Sequence, residues 1–156
     1  MFCKKRIKIY APISGEFIAL GDVEDEVFSS GMMGQGFAIE PIKDRIVAPA
    51  DAEVVSANQR MRHALGLRLK NGCELLIHVG IDTVSLQNQG FNVLVKEGEK
   101  VRQGDSLIEF DSQVIKKAGL KNTVMLIVTE TKGLSLEIPS NLKEMTAGET
   151  LAMTLN

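Results

Sequence analysis

The sequence predicts an all-β fold, a compact antiparallel sandwich or barrel carrying one or two very short helices. Three observations predict it. The apolar segments are short and rich in residues that suit a pleated strand. Gly, Pro, Asn and Asp punctuate them at close spacing. A single stretch has the punctuation of a helix.

Taken in order, IKIYAP (7–12) alternates and ends at a proline, and Ser14-Gly15 turns the chain into GEFIAL (15–20). GFAIEP (36–41) follows a glycine-rich GMMGQG, whose spacing is not that of a phosphate cradle and which no helix follows, so it reads as a tight surface loop. PIKD, PAD and KNG separate the next strands, RIVAP (45–49), AEVVSA (52–57), LGLRLK (65–70) and CELLIHV (73–79). FNVLV (91–95) and SLIEF (106–110) flank EGEK and RQGD. DSQVIKKAGL (111–120) is the helical stretch: Asp111 can cap it and Gly119 can stop it, leaving a length on the order of 5–8 residues. TVMLIV (123–128), LSLEI (134–138) and TLAMTL (150–155) complete the set.

Composition bounds the function. The 156 residues fit one domain, 1–156, and 44% hydrophobic content is enough for a core. A net charge of -2 gives no footprint for nucleic acid, and the basic cluster Lys4-Lys5-Arg6 is short enough to be a solvated strand start. The two cysteines, Cys3 and Cys73, make no disulfide framework and suit a reducing compartment. The opening MFCKKRIKIYAPISG lacks the apolar run of a signal peptide, and no uncharged stretch reaches membrane-spanning length. A cytoplasmic protein without membrane insertion is the expectation.

Both histidines of the chain, His63 and His78, flank an Asn-Gly hairpin signal. A two-residue turn at Asn71-Gly72 requires positive φ at both. It would set Lys70 opposite Cys73, Leu69 opposite Glu74, Leu67 opposite Leu76, Leu65 opposite His78 and His63 opposite Gly80. Side chains alternate between faces, so His63 and His78 would share a face with Leu65, Leu67 and Leu76 as diagonal partners roughly 7–8 Å apart. A bulge beside the turn would shift this register by one and split the faces. A histidine pair permits metal binding, acid and base work, or phosphoryl acceptance. Imidazole suits the last: neutral at pH 7, it offers one nitrogen as nucleophile while the other bears a proton. Phosphoryl transfer then needs mainly positioning and charge stabilisation, from a second imidazole N–H or a backbone N–H near a residue without Cβ such as Gly80.

CELLIHVGIDTVSLQNQGF (73–91) resembles the active-site segment of glucose-type enzyme IIA of the bacterial phosphoenolpyruvate-dependent sugar phosphotransferase system. RHALGL (62–67) resembles its second-histidine segment, and IYAPISGEF, DEVFSSGMMGQGFAIEP, VAPADAEV, VRQGDSLIEFD and AGETLAM match further blocks in order. The resemblance implies an antiparallel β-sandwich and a phosphocarrier. It implies that His78 accepts phosphate from the carrier HPr and donates it to a cysteine of a IIB domain, that His63 stabilises the phosphoryl group, and that Gly80 supplies a backbone N–H. Asp25 and Asp82 would lie in an acidic rim, and Val27, Phe28, Met32 and Met33 in the apolar docking patch. Family members often carry Thr two residues before the upstream histidine; Met61 stands there in this chain.

Two rival functions use the same histidines. A zinc hydrolase of β-sandwich type needs three protein ligands and a His-x-His pair that this chain lacks. A regulatory binding protein could share a zinc between His63, His78 and a partner's carboxylate. No resident cofactor is expected.

Overall fold

The computed structural model of the protein describes residues 6–156. Cys3 and the first two lysines of the basic cluster, Lys4 and Lys5, lie outside the described residues. The strands are β1 (Ile7–Tyr10), β2 (Gly15–Ala19), β3 (Gln35–Pro41), β4 (Arg45–Val47), β5 (Ala52–Ser56), β6 (Ala64–Arg68) and β7 (Glu74–Val79). They continue with β8 (Phe91–Val93), β9 (Lys100–Val101), β10 (Ser106–Phe110), β11 (Val124–Glu130), β12 (Leu136–Glu137), β13 (Glu144–Met145) and β14 (Leu151–Leu155). Two short helices, α1 (Glu26–Ser29) and α2 (Ser112–Lys117), are each capped by an aspartate side chain, Asp25 and Asp111. The first was not anticipated: its four residues are too few to show a helical period.

Every pairing among the described strands is antiparallel. Eight strands form one sheet in the order β13-β2-β3-β11-β7-β6-β5-β9, and β1-β14-β12 and β4-β10-β8 form two smaller sheets. All three sheets contribute to one core, with Ile9 and Met153 from the first small sheet, Ile46 and Ile108 from the second, and Leu67, Ile77 and Leu126 from the large one. This is the expected antiparallel sandwich.

The continuous apolar run of β11 has a physical reason: both of its faces are covered. Val124, Leu126 and Val128 point into the main core, whereas Met125 and Ile127 join a second cluster with Ala38, Val23, Phe28 and Ile81. That second cluster lies beneath α1, and the neighbouring strand β7 presents Leu76 to it. It gives the outer face of the large sheet an apolar floor, and His78 stands at its end.

The β6–β7 register departs from the expectation. Leu69 N–H bonds the Cys73 carbonyl at 2.8 Å, enclosing a three-residue loop, Lys70–Gly72, in place of a two-residue turn. Only Gly72 of the Asn-Gly pair has positive φ, +92°. The Asn71 side chain instead accepts the Cys73 N–H at 3.1 Å, acting as a backbone mimic. Pairing therefore shifts by one: Leu67 faces Leu75, Leu65 faces Ile77, and Ala64 faces His78. Leu65 and Leu67 look into the main core, whereas Leu76 and His78 are on the opposite face of the sheet. The single-face stripe expected from the sequence does not exist.

Candidate functional site

The two histidines nevertheless meet. Their ring centroids are 4.9 Å apart, with the planes at 78°. The register shift does not separate them because β6 begins at Ala64, so strand alternation does not fix the direction of His63. His63 sits in the turn before β6, where its carbonyl accepts the Val79 N–H at 2.7 Å and pins it beside the end of β7. From there its ring reaches His78 and also stands edge-on to Phe91, 6.4 Å away. His63 is buried and His78 is half-buried.

His78 is held on three sides. Phe28 of α1 packs against its ring at 4.9 Å, His63 closes a second side, and Nδ1 lies 2.9 Å from the Gly80 carbonyl oxygen. A carbonyl only accepts, so that hydrogen bond puts the proton on Nδ1 and leaves the lone pair on Nε2. Gly80 thus works through its oxygen. Its N–H, expected to face a phosphoryl group, instead donates to the Thr123 carbonyl at 2.8 Å, because the chain still pairs towards β11 just past the end of β7. Glycine is required here: φ is +82°, and a Cβ would collide with the Thr83 methyl group and crowd the Lys121 carbonyl. Gly80→Ala is expected to lower the thermal midpoint and to release the His78 ring, read as a change in its tautomer by ¹⁵N spectra.

Burial pushes the His78 pKa down to about 4, with the neighbouring His63 adding to the fall; the Gly80 hydrogen bond and the Asp25 charge pull weakly the other way. Burial also lowers His63. Both rings are therefore neutral at pH 7, the form a nucleophile needs. A histidine depressed on folding stabilises the fold fully above its unfolded pKa, near 6.5, and that stability is lost as pH falls towards 4. The loss between pH 7 and pH 4 is on the order of 2–3 kcal/mol. In denaturant titrations, the native protein should lose that much more stability over this window than His78→Gln, whose side chain does not titrate.

The remaining expected residues divide. Asp25 caps α1, accepting the Val27 N–H at 3.0 Å, and its charge is felt at His78. Val27, Met32 and Met33 are exposed, by 50%, 83% and 38%, so neither methionine is core. Phe28 does not belong to that open patch: it is buried in the second cluster and forms the wall against His78, because the turn of α1 points it inward while Val27 points out. Asp82 is exposed at φ 60°, where it starts a 3₁₀ turn over Thr83–Leu86. Reading the sequence alone missed Phe91 behind His63 and the exposed Val84 in that turn. Phe91 reads only as part of a motif and a strand, with nothing to place it behind His63; a turn of Asp82 with Thr83 is legible after the strand, but not which of its side chains is exposed.

Two imidazoles supply two metal ligands. No group of three or more His, Cys, Asp or Glu side chains suited to a metal forms among the described residues. A zinc shared by His63 and His78 would need a carboxylate from a partner.

Residues 7–134 match the family model for EIIA 1 of the phosphoenolpyruvate-dependent sugar phosphotransferase system. The chain is 39% identical over 147 residues to a glucose-specific EIIA component of Halalkalibacterium halodurans, covering 94% of this chain and 84% of the relative. It is 46% identical over 123 residues to a beta-glucoside-specific EIIBCA component of Bacillus subtilis, covering 79% of this chain and 20% of that protein. Among solved structures, the glucose permease IIA from Mycoplasma capricolum superposes with a TM-score of 0.87 at 38% identity, covering 98% of each chain.

Proposed function

The chain belongs to the EIIA 1 family of the phosphoenolpyruvate-dependent sugar phosphotransferase system, and from that premise we propose that His78 is the residue that carries its phosphoryl group. The protein is a phosphotransferase component of that system. The observation that supports His78 is its Nδ1 bond to the Gly80 carbonyl, which leaves Nε2 as a neutral nucleophile beside a second imidazole.

In the first step the Nε2 lone pair attacks the phosphorus of a phosphohistidine on HPr. The phosphorus–nitrogen bond to HPr breaks as the bond to Nε2 forms, and HPr keeps the electron pair. In the second step a cysteine thiolate of a IIB domain attacks the same phosphorus, and the electron pair returns to Nε2. The transferring group is loose and anionic, so an N–H aimed at its oxygens lowers the barrier. His63 fills that role. A phosphoryl dianion beside it favours its protonated form and strengthens the donor. Gly80 contributes by orienting His78.

A IIB acceptor is supported by a relative whose printed name, EIIBCA, joins the A unit with B and C units. Asp25 and Asp82 form the acidic rim for a basic donor, and Val27, Met32 and Met33 the apolar surface against which both partners dock. Nothing in the reading calls for nucleic acid. No helix among the described residues is long and apolar enough to cross a membrane. The reading puts the reaction in the cytoplasm, where phosphoenolpyruvate is made.

Reconstitution tests the proposal. Label from phospho-HPr should reach the IIB cysteine only when this protein is present, and no label on either protein would contradict it. The patch has its own test. Met33 is exposed, so Met33→Asp should keep the thermal midpoint yet weaken binding to HPr and IIB; unchanged binding would remove Met33 from the interface.

A further inference from the structure

Asn88 takes no part in the chemistry above, yet its contacts converge on His63. Its side-chain oxygen accepts the Arg62 N–H at 3.0 Å, and its amide nitrogen donates to the Gln59 carbonyl at 3.2 Å. Its own carbonyl accepts the Phe91 N–H at 3.3 Å, and Phe91 is the ring that stands behind His63. The two side-chain bonds run from the segment after β7 to the turn before β6. One carries the chain onward from His78, and the other ends in His63.

The backbone at Asn88 sharpens the point. Its φ is 70°, and that of Gln87 beside it is 51°. Glycine adopts the left-handed region without cost, and asparagine tolerates it. The conformation alone would be met at least as well by glycine. What asparagine adds is an amide, and that amide spans 26 and 29 residues of sequence to hold the 59–62 turn. Within itself the turn is braced only locally, by the Arg60 N–H on Asn58 Oδ1 at 2.8 Å and by Arg62 Nε on the Gln59 carbonyl at 3.0 Å, whereas the Asn88 bonds tie it to the segment that follows His78. Met61 is exposed and offers no hydroxyl to steady the imidazole that follows.

We propose that Asn88 is a positioning residue for phosphoryl transfer: it clamps the 59–62 turn so that the His63 ring stays against His78. The proposal rests on the reading that transfer passes through His78 with His63 as the stabilising donor. Asn88 itself touches neither the phosphoryl group nor either imidazole; it acts through the placement of His63. Misplacing such a donor by about 1 Å can cost on the order of 100-fold in rate.

The test uses two variants and two readouts. Asn88→Gly deletes both side-chain bonds and suits the backbone angle, so the fold should persist. Asn88→Asp keeps the acceptor for the Arg62 N–H but sets a carboxylate oxygen, another acceptor, against the Gln59 carbonyl. The first readout needs no phosphate: ring-to-ring nuclear Overhauser contacts and ¹⁵N titrations of the two histidines. In Asn88→Gly the contacts should weaken, and the pKa of His78 should rise from its depressed value as the neighbouring imidazole withdraws. The second readout times the half-reactions. Uptake from phospho-HPr should be unchanged, while transfer to IIB should fall about 10–100-fold. Asn88→Asp should also weaken the ring contacts and slow transfer to IIB, since its carboxylate repels the Gln59 carbonyl. A lower thermal midpoint with unchanged ring contacts, titrations and transfer would overturn the proposal and leave Asn88 a structural brace. If the native protein takes no phosphate on His78, the functional reading fails. The ring contacts and titrations would still decide whether Asn88 places His63.

Discussion

His78→Ala is expected to take up no acid-labile phosphate from phospho-HPr, at any concentration of donor. The effect is absolute because the substitution removes the nucleophile itself. His63 is the only other imidazole in the chain. It is buried, with its edge against Phe91, and it is not anchored as His78 is by the Gly80 carbonyl. Of the two rings it is the more buried, and so the less accessible to a docked donor. Removing the ring also strips a packing partner from Phe28, which should lower stability by about 0.5–3 kcal/mol. A circular dichroism spectrum and a thermal melt separate that cost from the chemistry: the variant should be folded and inert. Phosphate uptake by folded His78→Ala would remove His78 from the role.

His63→Gln should divide the two half-reactions. Acceptance should persist, because His78 keeps its Nδ1–H bond to Gly80 and its neutral Nε2. Onward transfer should slow, because the departing phosphoryl group loses an oriented donor whose contact tightens in the transition state. Loss of one such donor costs about 10²–10³ in rate, or about 2.7–4 kcal/mol. Glutamine retains an amide N–H but not a charge that rises with the dianion, so it should replace the imidazole poorly. Rapid-quench timing of each step with labelled phosphate decides the matter. A normal rate of transfer to IIB would make His63 a packing residue.

The all-β class was legible because strand and turn signals are local. IKIYAP, CELLIHV and TLAMTL each carry their own pattern, and Asp111 with Gly119 frames α2. The two-residue strands β9 and β13 were not legible, since pairing with β5 and β2 creates them. The hairpin shows a subtler limit. Asn71-Gly72 marked the right place and the wrong turn, because the Asn71 side chain bonds Cys73 where a second positive φ was expected. That single-residue shift invalidated the face argument for the histidines. Their meeting depends on His63 lying outside β6, a boundary no periodicity reveals. The pair was nonetheless recognised, through resemblance of the motifs around it. Gly80 was singled out for its N–H, although the group facing His78 is its carbonyl, a distinction that depends on where Thr123 lies.

The central claim is that Nε2 of His78 carries the phosphoryl group while Nδ1 is held by Gly80. The most direct measurement is ¹⁵N–³¹P coupling in ¹⁵N-histidine-labelled protein after exposure to phospho-HPr. One-bond coupling to His78 Nε2, with Nδ1 still protonated, is the predicted result. Coupling to Nδ1, or to either nitrogen of His63, would contradict it.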